Sequence, residues 1–321
     1  MVSTTRAFDV ADLYSDDPSV RVRTTARALS MLEDGAPEVP AMMTSLVTAG
    51  LTTRVIGITG PPGVGKSTIV AGLVAVVRAG GHRVGVIAVD PTSPFSGGAV
   101  LGDRVRMQQH ALDDGVFIRS MASRGHLGGL SAVTPQVVRV LAAAGCDVVV
   151  VETVGVGQSE VEVAALADTT VVVLAPGNGD AMQAAKAGIL EVADIYLVNK
   201  ADREGSAGVV SDLRGMLSLM RREPGEWRPP VVTSVAAEPD GLTELTDGLA
   251  AHERWLGTSG TLRGRREARA RAEIESVALA ELRRQLRAVR GDRSLPELAR
   301  RVAAGELDAF TAATTWTGSA S

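Results

Sequence analysis

Residues 54–77 read RVIGITGPPGVGKSTIVAGLVAVV, and the order of residue types in this stretch decides the fold. Arg54 to Gly60 is an apolar, β-branched run of the kind that a strand buried on both faces requires. GPPGVGKST at 60–68 then fits the pattern GxxxxGK[ST], and IVAGLVAVV follows at helical period. Strand, loop and helix together give the pattern its meaning. Glycines at 60, 63 and 65 let backbone amides turn inward around a phosphate, and a helix beginning near Lys66 adds the positive end of its dipole. Phosphate contacts are therefore expected from Gly60, Pro61, Pro62, Gly63, Val64, Gly65, Lys66, Ser67 and Thr68. Lys66 should reach the β and γ phosphates, and the Ser67 hydroxyl should bind Mg2+.

Outward from this stretch, short valine- and isoleucine-rich runs alternate with alanine-rich segments of helical period from about Thr53 to Gly257. The runs are RVIGITG (54–60), RVGVIAVD (83–90), VFIRSM (116–121), DVVVVET (147–153), TTVVVLAP (169–176), DIYLVNK (194–200) and VVTSVAA (231–237). This rhythm predicts an α/β fold, a doubly wound, mostly parallel sheet of about seven strands with helices on both faces. Three regions are expected: a helical extension at 1–52, with helices near Val20–Leu32 and Met42–Val47; the phosphate-loop domain at 53–257; and a helical region at 258–321. TSGTLRG (258–264) reads as a linker, and Ile274, Ala278, Leu282, Leu286 and Val289 fall on one face of a long helix.

Two carboxylates end strands on the edge that carries the phosphate loop, Asp90 and Glu152. Ligands bind at that edge in doubly wound sheets. A carboxylate after four consecutive valines is costly unless a cation pairs with it, which Mg2+ would do, while a helix cap or surface turn is the other use of such an acid. Glu152 opens ETVGVGQSE, the spacing of an acid-x-x-Gly loop, so Gly155 would offer its amide to a γ-phosphate. Gln158 lies three residues beyond that glycine and reads better as a helix start than as a water-positioning residue. DPTSPFSGGAVLGDRVRM (90–107) has the composition of a loop that switches. Asp103 within it could reach the metal or cap the next helix. His126, in SRGHLGGLS, reads as a loop contact.

NKAD at 199–202 closes a strand run and fits the Asn-Lys-x-Asp element that selects guanine. A carboxylate accepts two hydrogen bonds from guanine N1 and its exocyclic amine, and adenine has no matching pair. Asp202 takes that role, Asn199 supports the loop and meets the base edge, and the stem of Lys200 lies over the ring. Ser234, Val235 and Ala236 are a weaker match to the loop whose amides meet guanine O6.

GPPGVGKST, VDPTSPFSGGAVLGDRVRM, SRGHLGGLS, ETVGVGQSE and VNKAD, in that order, resemble the methylmalonyl-CoA mutase-associated GTPases of the MeaB family, also described under the ArgK name. The resemblance covers nearly the whole chain. It implies a G protein that forms a homodimer through the C-terminal helices and serves as a chaperone that gates adenosylcobalamin loading into a mutase and protects or rescues it. Slow unaided GTP hydrolysis is expected because no arginine finger or correctly spaced glutamine is visible. It also implies that Lys66, Asp90, Asp103 and Glu152 are catalytic, that Ser67, Asp90, Asp103 and Glu152 face the metal, and that Lys186 lies in a segment tied to the partner. No Asp-x-His-x-x-Gly string is present, so cobalamin is expected on the partner and not on this chain. Two alternatives stand beside this reading, an ATPase or kinase linked to basic amino-acid transport and a nickel- or cobalt-delivery GTPase.

Bulk properties agree with a globular protein. The 321 residues are 45% hydrophobic and 22% charged, enough for a sizeable core, and the net charge of −4 gives no reason to expect nucleic acid or an anionic membrane. One cysteine, Cys146, excludes an intrachain disulfide. The N-terminal residues have neither secretory nor transit character, so a cytoplasmic protein is expected. From Arg263 to Arg301 there are twelve arginines against six acids, yet the signs alternate and no aromatic side chain interleaves them. A solvated amphipathic helix therefore explains this stretch better than a nucleic-acid surface.

Overall fold

The structure, a computed structural model, describes residues 8–49, 52–90, 110, 113–122, 133–153, 159–177, 191–221, 223, 225–238, 240–290 and 294–318. Its strands are β1 Arg54–Thr59, β2 Val84–Asp90, β3 Val116–Ala122, β4 Val148–Thr153, β5 Thr169–Leu174, β6 Ile195–Asn199 and β7 Val231–Ser234. They form one sheet in the order β3-β2-β4-β1-β5-β6-β7, and every neighbouring pair is parallel. All seven apolar runs of the sequence are strands.

The helices are α1 Pro18–Asp34, α2 Val39–Ser45, α3 Lys66–Ala79, α4 Thr134–Ala143, α5 Ser159–Leu166, α6 Ser206–Leu219, α7 Thr243–Ser259, α8 Thr261–Arg290, α9 Ser294–Ala303 and α10 Ala309–Gly318. Side chains alternate across the sheet, so successive valines serve opposite layers. Val55, Val149 and Val151 join α1, α2, α4 and α5 in one buried cluster. Ile56, Ile58, Val148 and Val150 join α3 and α7 in another. Each fully buried Val, Leu or Ile stabilises by about 1.5–3 kcal/mol, which is why runs apolar at every position are needed here.

α1 carries its own start and stop signals. Asp17 accepts from the Ser19 amide at 2.8 Å, Pro18 opens the helix, and Gly35 ends it in a left-handed conformation at φ 63. Its Leu29 and Leu32 are buried in the cluster that holds Val137 and Leu141 of α4.

By internal packing the chain divides into two compact units, Met1–Glu267 and Ala268–Ser321. In the second, α9 packs on α10 and buries Leu298 and Ala312. The stretch 258–264 is not the linker that its composition suggested. α7 runs to Ser259, Gly260 turns left-handed at φ 73, and α8 starts at Thr261, whose amide donates to Ser259 Oγ at 3.2 Å. One left-handed glycine and one side-chain cap join two helices directly.

Candidate nucleotide site

The loop after β1 is shaped by close backbone approach. Gly60 has φ 140, and a Cβ there would lie 2.1 Å from the Val173 carbonyl oxygen. Gly65, which precedes the first turn of α3, has φ 98, and a Cβ there would lie 2.5 Å from Asn199 Nδ2. Only glycine fits either position. The Lys66 ammonium is buried and donates to the carbonyls of Gly60 at 2.8 Å and Pro61 at 2.9 Å. The lysine thus lies along the loop whose amides it would share with a phosphate.

Ser67, in the first turn of α3, and Glu152, near the end of β4, meet directly. Ser67 Oγ donates to Glu152 Oε1 at 2.7 Å, and Glu152, opposite Ile58 in the β1–β4 ladder, is 4% exposed. The strand ladder brings the acid of β4 beside the first turn of α3. The donors are a hydroxyl and a carboxylate, hard oxygen groups of the type Mg2+ takes, so these residues fit that ion. One residue further on, Thr153 Oγ1 donates to Thr59 Oγ1 at 2.9 Å, with both side chains fully buried. Asp90 is the last residue of β2, one position beyond the Val89–Thr153 pair. Its side chain, together with Asp103, His126, Gly155, Gln158 and Lys186, lies outside the described residues. Among the described residues no group of three or more His, Cys, Asp or Glu is placed to hold a metal ion.

The loops after β1, β6 and β7 are organised by Asn199, which is 3% exposed at the end of β6. Its Nδ2 donates to the Val64 carbonyl at 2.8 Å, and its Oδ1 accepts from Ser234 Oγ at 3.0 Å and the Ala236 amide at 3.3 Å. Lys200, the only non-glycine residue with positive φ among the described residues, donates from Nζ to the Gly63 carbonyl at 2.6 Å. The Ala201 amide donates to the Ser234 carbonyl at 3.0 Å. Three sequence-distant loops, those after β1, β6 and β7, are thereby tied into one surface. Asp202 is exposed in the turn after β6, where a ligand edge can reach it. The Lys200 tie and the engagement of the Ala236 amide are additions to the sequence reading.

A second polar cluster, unanticipated in the sequence, lies at the opposite edge. Asp168 and Asp194 each precede one strand and cap the strand beside it, Asp168 accepting from the Val55 amide of β1 at 3.1 Å and Asp194 from the Thr170 amide of β5 at 2.8 Å. Arg265 grips Asp194 with two hydrogen bonds of 2.8 and 2.7 Å, and Arg266 reaches Asp168 at 3.2 Å. His252 is fully buried between Trp227 and Trp255, with Nδ1 2.8 Å from Thr169 Oγ1. Burial, then the Arg265 charge, holds its pKa below the usual value against the opposing pull of Asp194 and Asp168. Acids just before strand runs and the adjacent arginines were visible in the sequence, but their pairing across 71 and 98 positions was not. Cys146 is buried, and burial pushes its thiol up to about 12, so it packs and does not react.

The family model described as methylmalonyl Co-A mutase-associated GTPase MeaB matches residues 25–290. The chain belongs to the MeaB GTPase family. Among MeaB relatives, a putative GTPase of Pyrococcus abyssi is 45% identical over 294 residues, covering 91% of this chain and 90% of that one. The mouse methylmalonic aciduria type A homolog, mitochondrial, is 38% identical over 220 residues, 68% of this chain and 53% of that one. A crystal structure titled LAO/AO transport system kinase superposes with a TM-score of 0.68 at 28% identity, covering 96% of this chain and 95% of that one. The MeaB membership makes this protein a P-loop GTPase. Among the described residues no helix is long and apolar enough to cross a membrane.

Proposed function

We propose that this GTPase binds guanine nucleotide with Mg2+ and that its cycle serves a cobalamin-dependent mutase of the methylmalonyl-CoA type, gating cofactor loading and protecting or reactivating the partner. The observation that carries the nucleotide half is the meeting of Ser67 Oγ and Glu152 Oε1 at 2.7 Å beside a buried lysine at a helix start. Ser67 and Glu152, with Asp90 and Asp103, would hold Mg2+, which when bound neutralises charge on the β and γ phosphate oxygens. Lys66 exchanges its loop carbonyls for phosphate oxygens. Loop amides from Gly60 to Thr68 and the Gly155 amide orient the phosphates, while Asn199, Lys200, Asp202 and the Ser234–Ala236 loop hold the base.

The partner half rests on the family description and on the name of the mouse relative. Cobalamin belongs to the mutase in this reading. The chain works as a homodimer in the cytoplasm, through the helices of 258–321, and turns over slowly until the partner engages. Calorimetry and co-sedimentation with the mutase of the same cell test this directly: a complex whose affinity changes between GDP and a non-hydrolysable GTP analogue is expected. No complex in either state overturns the partner assignment. The kinase title of the structural neighbour leaves an ATP-using reading to be tested, and competition of ATP against labelled GDP decides it.

A further inference from the structure

β1 and β4 run side by side beneath the site, and their backbone pairing extends through Ile58 and Glu152. The next residues are Thr59 and Thr153. Each continues the sheet only on its other side, Thr59 beside Val172 and Thr153 beside Val89. What joins them to each other at this point is the hydrogen bond from Thr153 Oγ1 to Thr59 Oγ1 at 2.9 Å, within a fully buried pair. The bond sits where both strands end. Thr59 immediately precedes Gly60, whose carbonyl accepts from Lys66, and Thr153 immediately follows Glu152, which accepts from Ser67.

Burial alone does not call for hydroxyls here. The four residues before Glu152 are all valine, a valine at 153 would fill nearly the same volume, and a buried hydroxyl is costly unless it is bonded. Two such groups placed against each other satisfy that cost and fix a distance between strand ends that the ladder no longer fixes. We propose that Thr153, through Thr59, is a positioning residue for GTP hydrolysis: it sets the Glu152 end of β4 against the phosphate-loop end of β1, so that the acid and Ser67 face the same metal and phosphate. Neither threonine is asked to touch the nucleotide. The inference rests on the proposed metal role of Ser67 and Glu152.

The test compares Thr153→Val, Thr153→Ser and the double variant Thr59→Val with Thr153→Val, in the full-length protein. The parent is first shown to hydrolyse GTP with a saturable Mg2+ dependence; without that, the underlying metal reading has failed and not this inference. Single-turnover GTP hydrolysis, GDP affinity, the Mg2+ concentration for half-maximal rate and the melting temperature are then read for each variant. Loss of one neutral hydrogen bond is expected to slow hydrolysis by about tenfold in Thr153→Val and to raise its Mg2+ requirement, with GDP affinity near the parent's. Thr153→Ser restores the rate. The double variant, which leaves no orphan hydroxyl, regains the parent's melting temperature and stays slow. Hydrolysis at the parent rate in Thr153→Val overturns the proposal. So does recovery of rate together with stability in the double variant, which would make the pair a packing feature only.

Discussion

At the scale of single residues, the site depends on side chains that join loops and on glycines that let them approach. Asn199 touches the loops after β1 and β7 at once, so the surface proposed to meet the base is held together by the chain's own hydrogen bonds. Asp202 is exposed three residues further on and, in the proposed site, would accept from the guanine edge. Replacing that carboxylate by an amide sets donors against the donors of guanine. Asp202→Asn is therefore expected to reduce the preference for GDP over ADP by roughly tenfold to a hundredfold, measured by competition with a fluorescent GDP, since a bidentate base contact discriminates by roughly 1–3 kcal/mol. An unchanged ratio would remove Asp202 from base recognition. Gly60 admits no side chain at all, because the nearest backbone oxygen would lie 2.1 Å away. Gly60→Ala is expected to abolish GDP binding and to lower the melting temperature, both readable on one purified sample.

Among the elements, the strands were legible in the sequence and the joints were not. Runs such as VVVV at 148–151 and TTVVVL at 169–174 leave no polar face, so only a strand covered on both sides accommodates them. The phosphate-loop junction and the acid at the end of β4 were legible because the residue types are rare and their spacing is local. The join at 258–264 was misread because a glycine in a polar setting fits a linker as well as a left-handed helix cap. Contacts between distant positions, such as Thr59 with Thr153, carry no local signal. The same holds for the cluster around His252. Unfolded, that histidine titrates near 6.5, and burial keeps its folded value lower, so between the two values the unfolded chain binds more protons. This contribution to stability is complete above about pH 6.5 and is lost as the pH falls below that value toward the folded pKa. Melting temperatures from pH 8 to pH 5.5 are expected to fall less steeply in His252→Gln than in the parent; parallel curves would show that His252 does not contribute.

For the whole molecule, the chain divides into Met1–Glu267, which holds the sheet and the candidate nucleotide site, and Ala268–Ser321, whose helices are proposed to carry association. α8 exposes Ile274, Val277 and Leu282, with Ile274 69% exposed. A stripe of this kind left in water forfeits about 1.5–3 kcal/mol for each large side chain that a second copy would cover. Ile274→Asp combined with Leu282→Asp is expected to convert a dimer to a monomer in sedimentation velocity, with GDP affinity retained. A parent that sediments as a monomer would contradict the dimer. The central claim, that the loop from Gly60 to Thr68 and the turn at Asn199–Asp202 form one guanine nucleotide site, is tested most directly by calorimetric titration of the full-length protein in Mg2+ with GDP and, separately, ADP. The expected result is one site per chain for GDP, bound at least about tenfold more tightly than ADP. Equal affinities, or no binding of GDP, would contradict it.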